Sequence, residues 1–144
     1  MSFGHLTDAG GALLLDIALG DAAKHSSLSL KLFTDSGALT DGQATRSFVA
    51  TEAGYAPADL LATASASTVN AGIPTIQWED ITFTFTGPLT DTATIKGCSI
   101  VAGSTIIYEQ LLPGSGYQPM NSGDQLIVTP LIEMGNVPGG GHPA

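Results

Sequence analysis

The sequence predicts an all-β fold: a jelly-roll-like antiparallel sandwich of about eight short strands, with one short helix near the N-terminus. Three observations carry this expectation. Residues 81–86 alternate Ile81, Phe83 and Phe85 against Thr82, Thr84 and Thr86 and stop at Gly87-Pro88, the period-two pattern of a half-buried strand. Leu28, Leu30 and Leu32 alternate in the same way with Ser27, Ser29 and Lys31. Similar short apolar runs recur between turns rich in Gly, Pro and Ser, without the repeats of roughly 20–50 residues that mark solenoids and propellers. Spacing alone does not separate a jelly roll from an immunoglobulin-like sandwich. The lack of a cysteine pair around a central Trp counts against the second.

From the N-terminus, Asp8 to Gly20 places Leu13, Leu14 and Ile17 on one helical face, with Gly20 as the C-terminal cap and Gly10-Gly11 opposing an early start. Leu28 to Phe33 is a strand ending at Thr34-Asp35-Ser36-Gly37. Ser47 to Glu52 is expected as a strand, Gly54-Tyr55-Ala56-Pro57 as a turn, Asp59 to Ala64 as a weak extended stretch, and Ala64 to Asn70 as a loop or edge. Strands follow over Ile73 to Trp78 and Ile81 to Thr86. Ala93 to Val101 and Thr105 to Leu112 should pair through a turn at Ala102-Gly103-Ser104, with Ile106 and Tyr108 on one face. Pro113 to Pro119 is an irregular exposed loop. Asn121-Ser122-Gly123-Asp124 turns into a last strand, Gln125 to Met134, which Pro130 confines to an edge or bulge. The organisation is one domain over 1–134, including an N-terminal arm and helix (1–26), and a Gly/Pro-rich tail over 135–144.

Composition narrows the function. Thirteen acidic residues against four basic ones give a formal charge of −9, and no Lys/Arg cluster exists to displace the counterions of a nucleic acid. Residues 1–5 show no secretory signal, and the densest apolar run, Ala12 to Leu19, is far shorter than the roughly 20 residues a membrane-spanning helix needs. The single cysteine, Cys98, excludes an intramolecular disulfide and suits a small core residue.

Catalytic signals are thin. Glu79 and Glu109 each lie near a strand and could share acid and base work on a glycosidic bond, but strands carry outward polar residues as a matter of course, and two solvated glutamates are the expectation. His5, His25 and His142 are scattered and no Gly-x-Ser-x-Gly elbow accompanies them. The oxygens of the Asn121–Asp124 turn suit an ordinary strand start better than calcium. Tyr55, Trp78, Tyr108 and Tyr117 are the residues a sugar-binding face would use. Trp78 and Tyr108 fit the core, and Tyr117, in its Gly/Pro loop, is expected to be the best exposed aromatic. The expectation is no catalytic residue, no cofactor and no metal.

Four motifs carry a resemblance. Leu30-Lys31-Leu32-Phe33-Thr34, then Phe48 to Pro57 (Phe-Val-Ala-Thr-Glu-Ala-Gly-Tyr-Ala-Pro), then Phe83-Thr84-Phe85-Thr86-Gly87, then Gly123 to Pro130 (Gly-Asp-Gln-Leu-Ile-Val-Thr-Pro) occur in this order. The ordered set, across residues 11–134, resembles a family of small structural proteins of tailed bacteriophages. The role this implies is a capsid cement or decoration protein with a jelly-roll fold, bound to the outer surface of the major capsid protein across capsomer seams. It also implies a virion location. Packing symmetry allows a homo-oligomer, a dimer favoured over a trimer, and the acidic charge and short apolar runs leave no nucleic-acid or membrane partner expected. Two departures stand out: Ile95 to Val101 (Ile-Lys-Gly-Cys-Ser-Ile-Val) replaces an aromatic-rich strand, and the Gly-rich tail runs past the family's last strand. Interface contacts are expected from Leu13, Leu14, Ile17, Tyr117, Val137 and Pro138. A tail or spike adhesin with a carbohydrate-binding sandwich is the alternative, and a glycan-degrading enzyme a third.

Overall fold

The computed structural model describes residues 4–20, 26–35, 39, 42–61, 68–70 and 72–134. They form one helix, a single 3₁₀ turn (Thr90–Thr92) and ten strands, so the protein is mostly β, and every strand pairing is antiparallel. One layer is a five-stranded sheet. Its order is β1 (Gly4–Leu6), β8 (Thr105–Leu111), β7 (Gly97–Ala102), β2 (Leu28–Phe33) and β3 (Ala58–Asp59). The expected hairpin joins β7 to β8 through Gly103-Ser104, with Gly103 at φ 62°.

The other strands make a bent ribbon. β10 (Leu131–Glu133), β5 (Ile73–Gln77) and β4 (Thr68–Asn70) pair in that order, and β6 (Ile81–Thr84) pairs β9 (Gln125–Val128). Ile81 lies opposite Val128, but Gln77 lies opposite Leu131. Three residues, Trp78, Glu79 and Asp80, therefore face two, Thr129 and Pro130, across the corner. This is a one-residue bulge, the device that bends a strand pair. The Trp78 N–H donates to the Pro130 carbonyl at 2.9 Å, and the Thr129 hydroxyl donates to the Asp80 carboxylate. The single strand expected over 125–134 is thus two strands, divided where Pro130 has no amide to give.

The core lies between sheet and ribbon. Leu30, Leu32, Cys98, Ile100 and Tyr108 enter from the sheet and Trp78, Phe83, Phe85, Val128 and Ile132 from the ribbon. Buried aromatics with polar tips keep them bonded. The Trp78 indole N–H donates to the Leu60 carbonyl at 2.9 Å, and the Tyr55 hydroxyl accepts the Leu32 N–H at 3.1 Å. That Leu32 amide faces the edge of β2 beyond the end of β3. Residues 47–49 cover the same edge through Thr34 N–H to Ser47 carbonyl and Val49 N–H to Leu32 carbonyl, both 2.9 Å. Only the Phe33–Phe48 bridge forms there, so the strand expected over Ser47 to Glu52 is an edge-hugging loop.

α1 (Asp8–Leu19) begins at Thr7, whose hydroxyl oxygen accepts the Gly10 N–H at 2.9 Å, and ends at Gly20 with φ 87°. The two glycines did not delay its start, because Gly10 has a packing reason to be there. A Cβ at Gly10 would collide with the Ile107 backbone of β8, whereas one at Gly11 would meet only Leu6 Cδ2 at 3.7 Å. Ile107 is itself the extra residue of a bulge, since Ile106 pairs Val101 while Tyr108 pairs Ile100. Ile106 and Tyr108, expected on one face, lie on opposite faces for this reason.

Candidate functional site

Facing away from the core, the five-stranded sheet presents Lys31, Phe33, Ser99, Val101, Ile106 and Glu109, and residues around Arg46 lie over it. Glu109 is 1% exposed. Its Oε2 accepts Arg46 Nε–H at 2.8 Å and the Ser99 hydroxyl at 2.7 Å, and its Oε1 accepts Arg46 Nη2–H at 3.0 Å. The chain's only arginine thus makes a bidentate fork, the strongest geometry an ion pair offers. The same guanidinium stacks 4.3 Å from the Phe33 ring centroid and reaches Asp35 at 3.4 Å. Gly97 makes room for that ring, for a Cβ there would strike both Phe33 and the Gln110 carbonyl. The Glu109 hydrogen bond, first of all, raises the Arg46 pKa above its ordinary value. Lys31 Nζ adds a second cation–π contact, 5.3 Å from the Phe48 ring.

This cluster ties a loop to a sheet. A general acid or base needs an oxygen that can reach substrate and exchange a proton. Both oxygens of Glu109 are held by Arg46 and Ser99 behind an almost fully buried surface. Glu79, the other half of the carboxylate pair, is exposed at the ribbon corner. The expectation that both glutamates are solvated therefore fails for Glu109. What sequence could have signalled is the Ser99–Glu109 cross-strand pair. Counting a strict period of two from Ile106 to Tyr108 hid it, because the bulge at Ile107 resets the faces.

The remaining candidates have ordinary surroundings. Cys98 is 2% exposed and burial pushes its thiol up to about 12, far from a reactive thiolate. Lys96 Nζ donates to the Ser115 carbonyl at 2.8 Å. Asp124 accepts the N–H groups of Met120 and Asn121, each at 2.9 Å, which hold its carboxyl below the usual range and build the turn. Among the described residues no three His, Cys, Asp or Glu side chains converge as a metal site. His5 sits in β1 opposite Glu109, and His25 and His142 lie outside the described residues.

Tyr55, Trp78 and Tyr108 are buried. Tyr117 is half-buried rather than freely exposed, its ring 6.0 Å from Phe85 and its backbone bridged to Ile95. Pro119, in the loop expected to be exposed, is fully buried.

Three surface features remain. The first is the outer side of α1. Gly10, Leu13, Leu14 and Ile17 take the inner side, and Leu13 and Leu14 pack against the core cluster. Leu15 and Leu19, one turn apart, are 59% and 79% exposed. The second is an apolar groove of about 210 Å³ between α1 and the ribbon, lined by Leu14, Pro74, Thr75, Ile76, Ile132 and Met134. The third is the outward face of β6 and β9, where Thr82, Thr84, Gln125 and the 58% exposed Ile127 form a surface without charge. Of the expected interface residues, Leu13, Leu14, Ile17 and Tyr117 are thus half-buried, and Val137 and Pro138 lie outside the described residues. Among the described residues no helix is long and apolar enough to cross a membrane. No family model, curated protein or solved structure matches the chain.

Proposed function

We propose that this chain is a structural virion protein without catalytic activity: a cement or decoration protein of a tailed-phage head. In this proposal its two layers have jelly-roll connectivity, and it binds the outer surface of the major capsid protein across capsomer seams. The observation that carries the docking role is the outer side of α1. A surface helix ordinarily sets charged and polar residues against its apolar stripe. Here Asp8 and Asp16 are the only charged residues in twelve, and Leu15 and Leu19 stand in water. Covering them with another protein recovers about 25 cal/mol for each Å² of apolar surface removed from water.

The identity of the lattice comes from the four ordered motifs and their likeness to phage head proteins. Two further properties agree with it. A charge of −9 is compatible with the outside of a shell and opposed to contact with packaged DNA. The threonines of β6 lose little side-chain entropy when covered, so they suit a packing surface. The buried Arg46–Glu109 pair fits a rigid module in the same way, because it spends the most chemically equipped side chains of the sheet on holding a loop.

The test is head binding by a variant. Leu15→Asp/Leu19→Asp keeps the fold, since both side chains are exposed, and is expected to lose binding to heads lacking the protein by at least about tenfold, the scale of losing well-packed apolar anchors. Co-sedimentation with those heads measures it. Undiminished binding of the folded variant overturns the docking assignment of α1.

A further inference from the structure

We propose that the outer side of α1 recognises an apolar protein surface that carries a lysine or arginine, with Leu15 and Leu19 as its anchors and Asp16 as the residue that pairs with the cation. This inference rests on the docking role assigned to α1 above and names the chemistry of its partner.

The exposed stripe has a defined order. Asp8, Ala12, Leu15 and Leu19 follow one another at steps of three and four residues, opposite the side that Gly10, Leu13, Leu14 and Ile17 turn inward. Asp16, four residues after Ala12 and three before Leu19, lies beside them and is exposed as well. At 1.5 Å per residue the stripe is about 16 Å long, enough for a few side chains of a partner.

The two acids are not alike. Asp8 is in the first turn, where the N-terminus of the helix itself favours a carboxylate. Asp16 opens the last turn, where the helix dipole opposes a negative charge and no basic residue offsets it. Aspartate is also a weak helix former. Capping or pairing could return these costs, but the Gly20 N–H goes to the main-chain carbonyls of Asp16 and Ile17. Among the described residues no hydrogen bond or ion pair reaches the Asp16 carboxylate. The fold gains nothing from this side chain, and a cation seated beside Leu19 gains an ion pair on an apolar surface.

Charge complementarity also selects the class of partner. A second copy brings the same acids, and a formal charge of −9 on each makes the two repel. It has no spare base among the described residues either. Lys31 lies over the Phe48 ring, Arg46 is held by Glu109, Lys96 donates to the Ser115 carbonyl, and Lys24 lies outside the described residues. The occupant is thus a different protein, apolar at the centre of the contact and basic beside it.

The experiment uses the full chain and two amphipathic helical peptides of equal length, one with a leucine face flanked by lysines, its twin with glutamates in their place. NMR chemical-shift titration should place the lysine peptide on Ala12, Leu15, Asp16 and Leu19, with an affinity that falls as salt is raised, and leave the twin unbound. Asp16→Lys should weaken that binding at least about tenfold with an unchanged circular dichroism spectrum. Co-sedimentation with heads lacking the protein separates this inference from the docking role itself. Loss of binding by both Asp16→Lys and Leu15→Asp/Leu19→Asp supports it, whereas loss by the leucine variant alone leaves α1 as the docking face and overturns the recognition of a cation. If the parent chain does not bind heads, the cement role fails and the peptides decide this inference by themselves. It is overturned if the glutamate twin binds as tightly, if the lysine peptide shifts residues away from α1, or if Asp16→Lys binds that peptide like the parent.

Discussion

Arg46 and Glu109 are worth more together than either is alone. Each side chain is almost wholly buried, so removing one strips the other of its bidentate partner in a low-dielectric site, while Asp35 stays 3.4 Å from Arg46 and the Ser99 hydroxyl stays on Glu109. Glu109→Ala and Arg46→Ala are each expected to cost about 3–5 kcal/mol in unfolding free energy, and the double variant much less than the sum of the two. Urea denaturation of the four proteins measures the coupling. A coupling below about 0.5 kcal/mol, the level at which separate sites simply add, contradicts the clamp. At this scale the sequence was informative where one side chain decides its own fate. Cys98, Trp78 and Tyr108 were legible as core residues from type and pattern. Glu109 was not, because its burial depends on an arginine 63 positions away and on a bulge that moves it to a different face.

Helix α1 shows how an element can be legible in outline and obscure in detail. The leucines and Gly20 mark its stripe and its end, whereas the Thr7 cap was found only in the structure. Gly10-Gly11 argues locally against the first turn, and tertiary packing overrides that argument because Gly10 lets α1 lie directly on the Ile107 backbone. The two glycines should therefore respond oppositely to alanine. Gly10→Ala is expected to destabilise by about 1–3 kcal/mol through overpacking, and Gly11→Ala to stabilise by about 0.5–1 kcal/mol through helix propensity. Thermal and urea unfolding check both signs, and a stabilised Gly10→Ala variant contradicts the close approach.

Strands followed the same logic. β2 and the β7–β8 hairpin carry their own alternation and turn, so they were visible. β1 has three residues and β3 two, too few to display a period, and they exist because β8 and β2 offer edges to cover. The last strand was visible as a stretch but not as a corner, since the partner of Pro130 is a bulge some fifty residues earlier.

For the whole molecule, the alternation of apolar and hydroxyl side chains in β2 and β6 was enough to indicate a mostly β protein with one helix, although β7, between β2 and β8, is buried on both faces. The bent ribbon was not predictable from local pattern, for it is a register relation between β5–β6 and β9–β10. The surface follows from the same architecture. The core consumes most large aromatics, the outer face of the five-stranded sheet is closed by the Arg46 clamp, and apolar or hydroxylic patches stay open among exposed carboxylates such as Asp59, Glu79 and Asp91: Leu15 and Leu19, the groove, and the Thr82–Thr84 face. Such patches favour contact with other proteins, which is the contact the proposed cement role requires.

The proposed cement role is tested most directly by counting the chain in purified tailed-phage virions, by quantitative mass spectrometry against the major capsid protein. Hundreds of copies per head, removable without loss of the shell proteins, are expected of a cement protein. About a dozen copies or fewer would contradict it and move the protein to the tail.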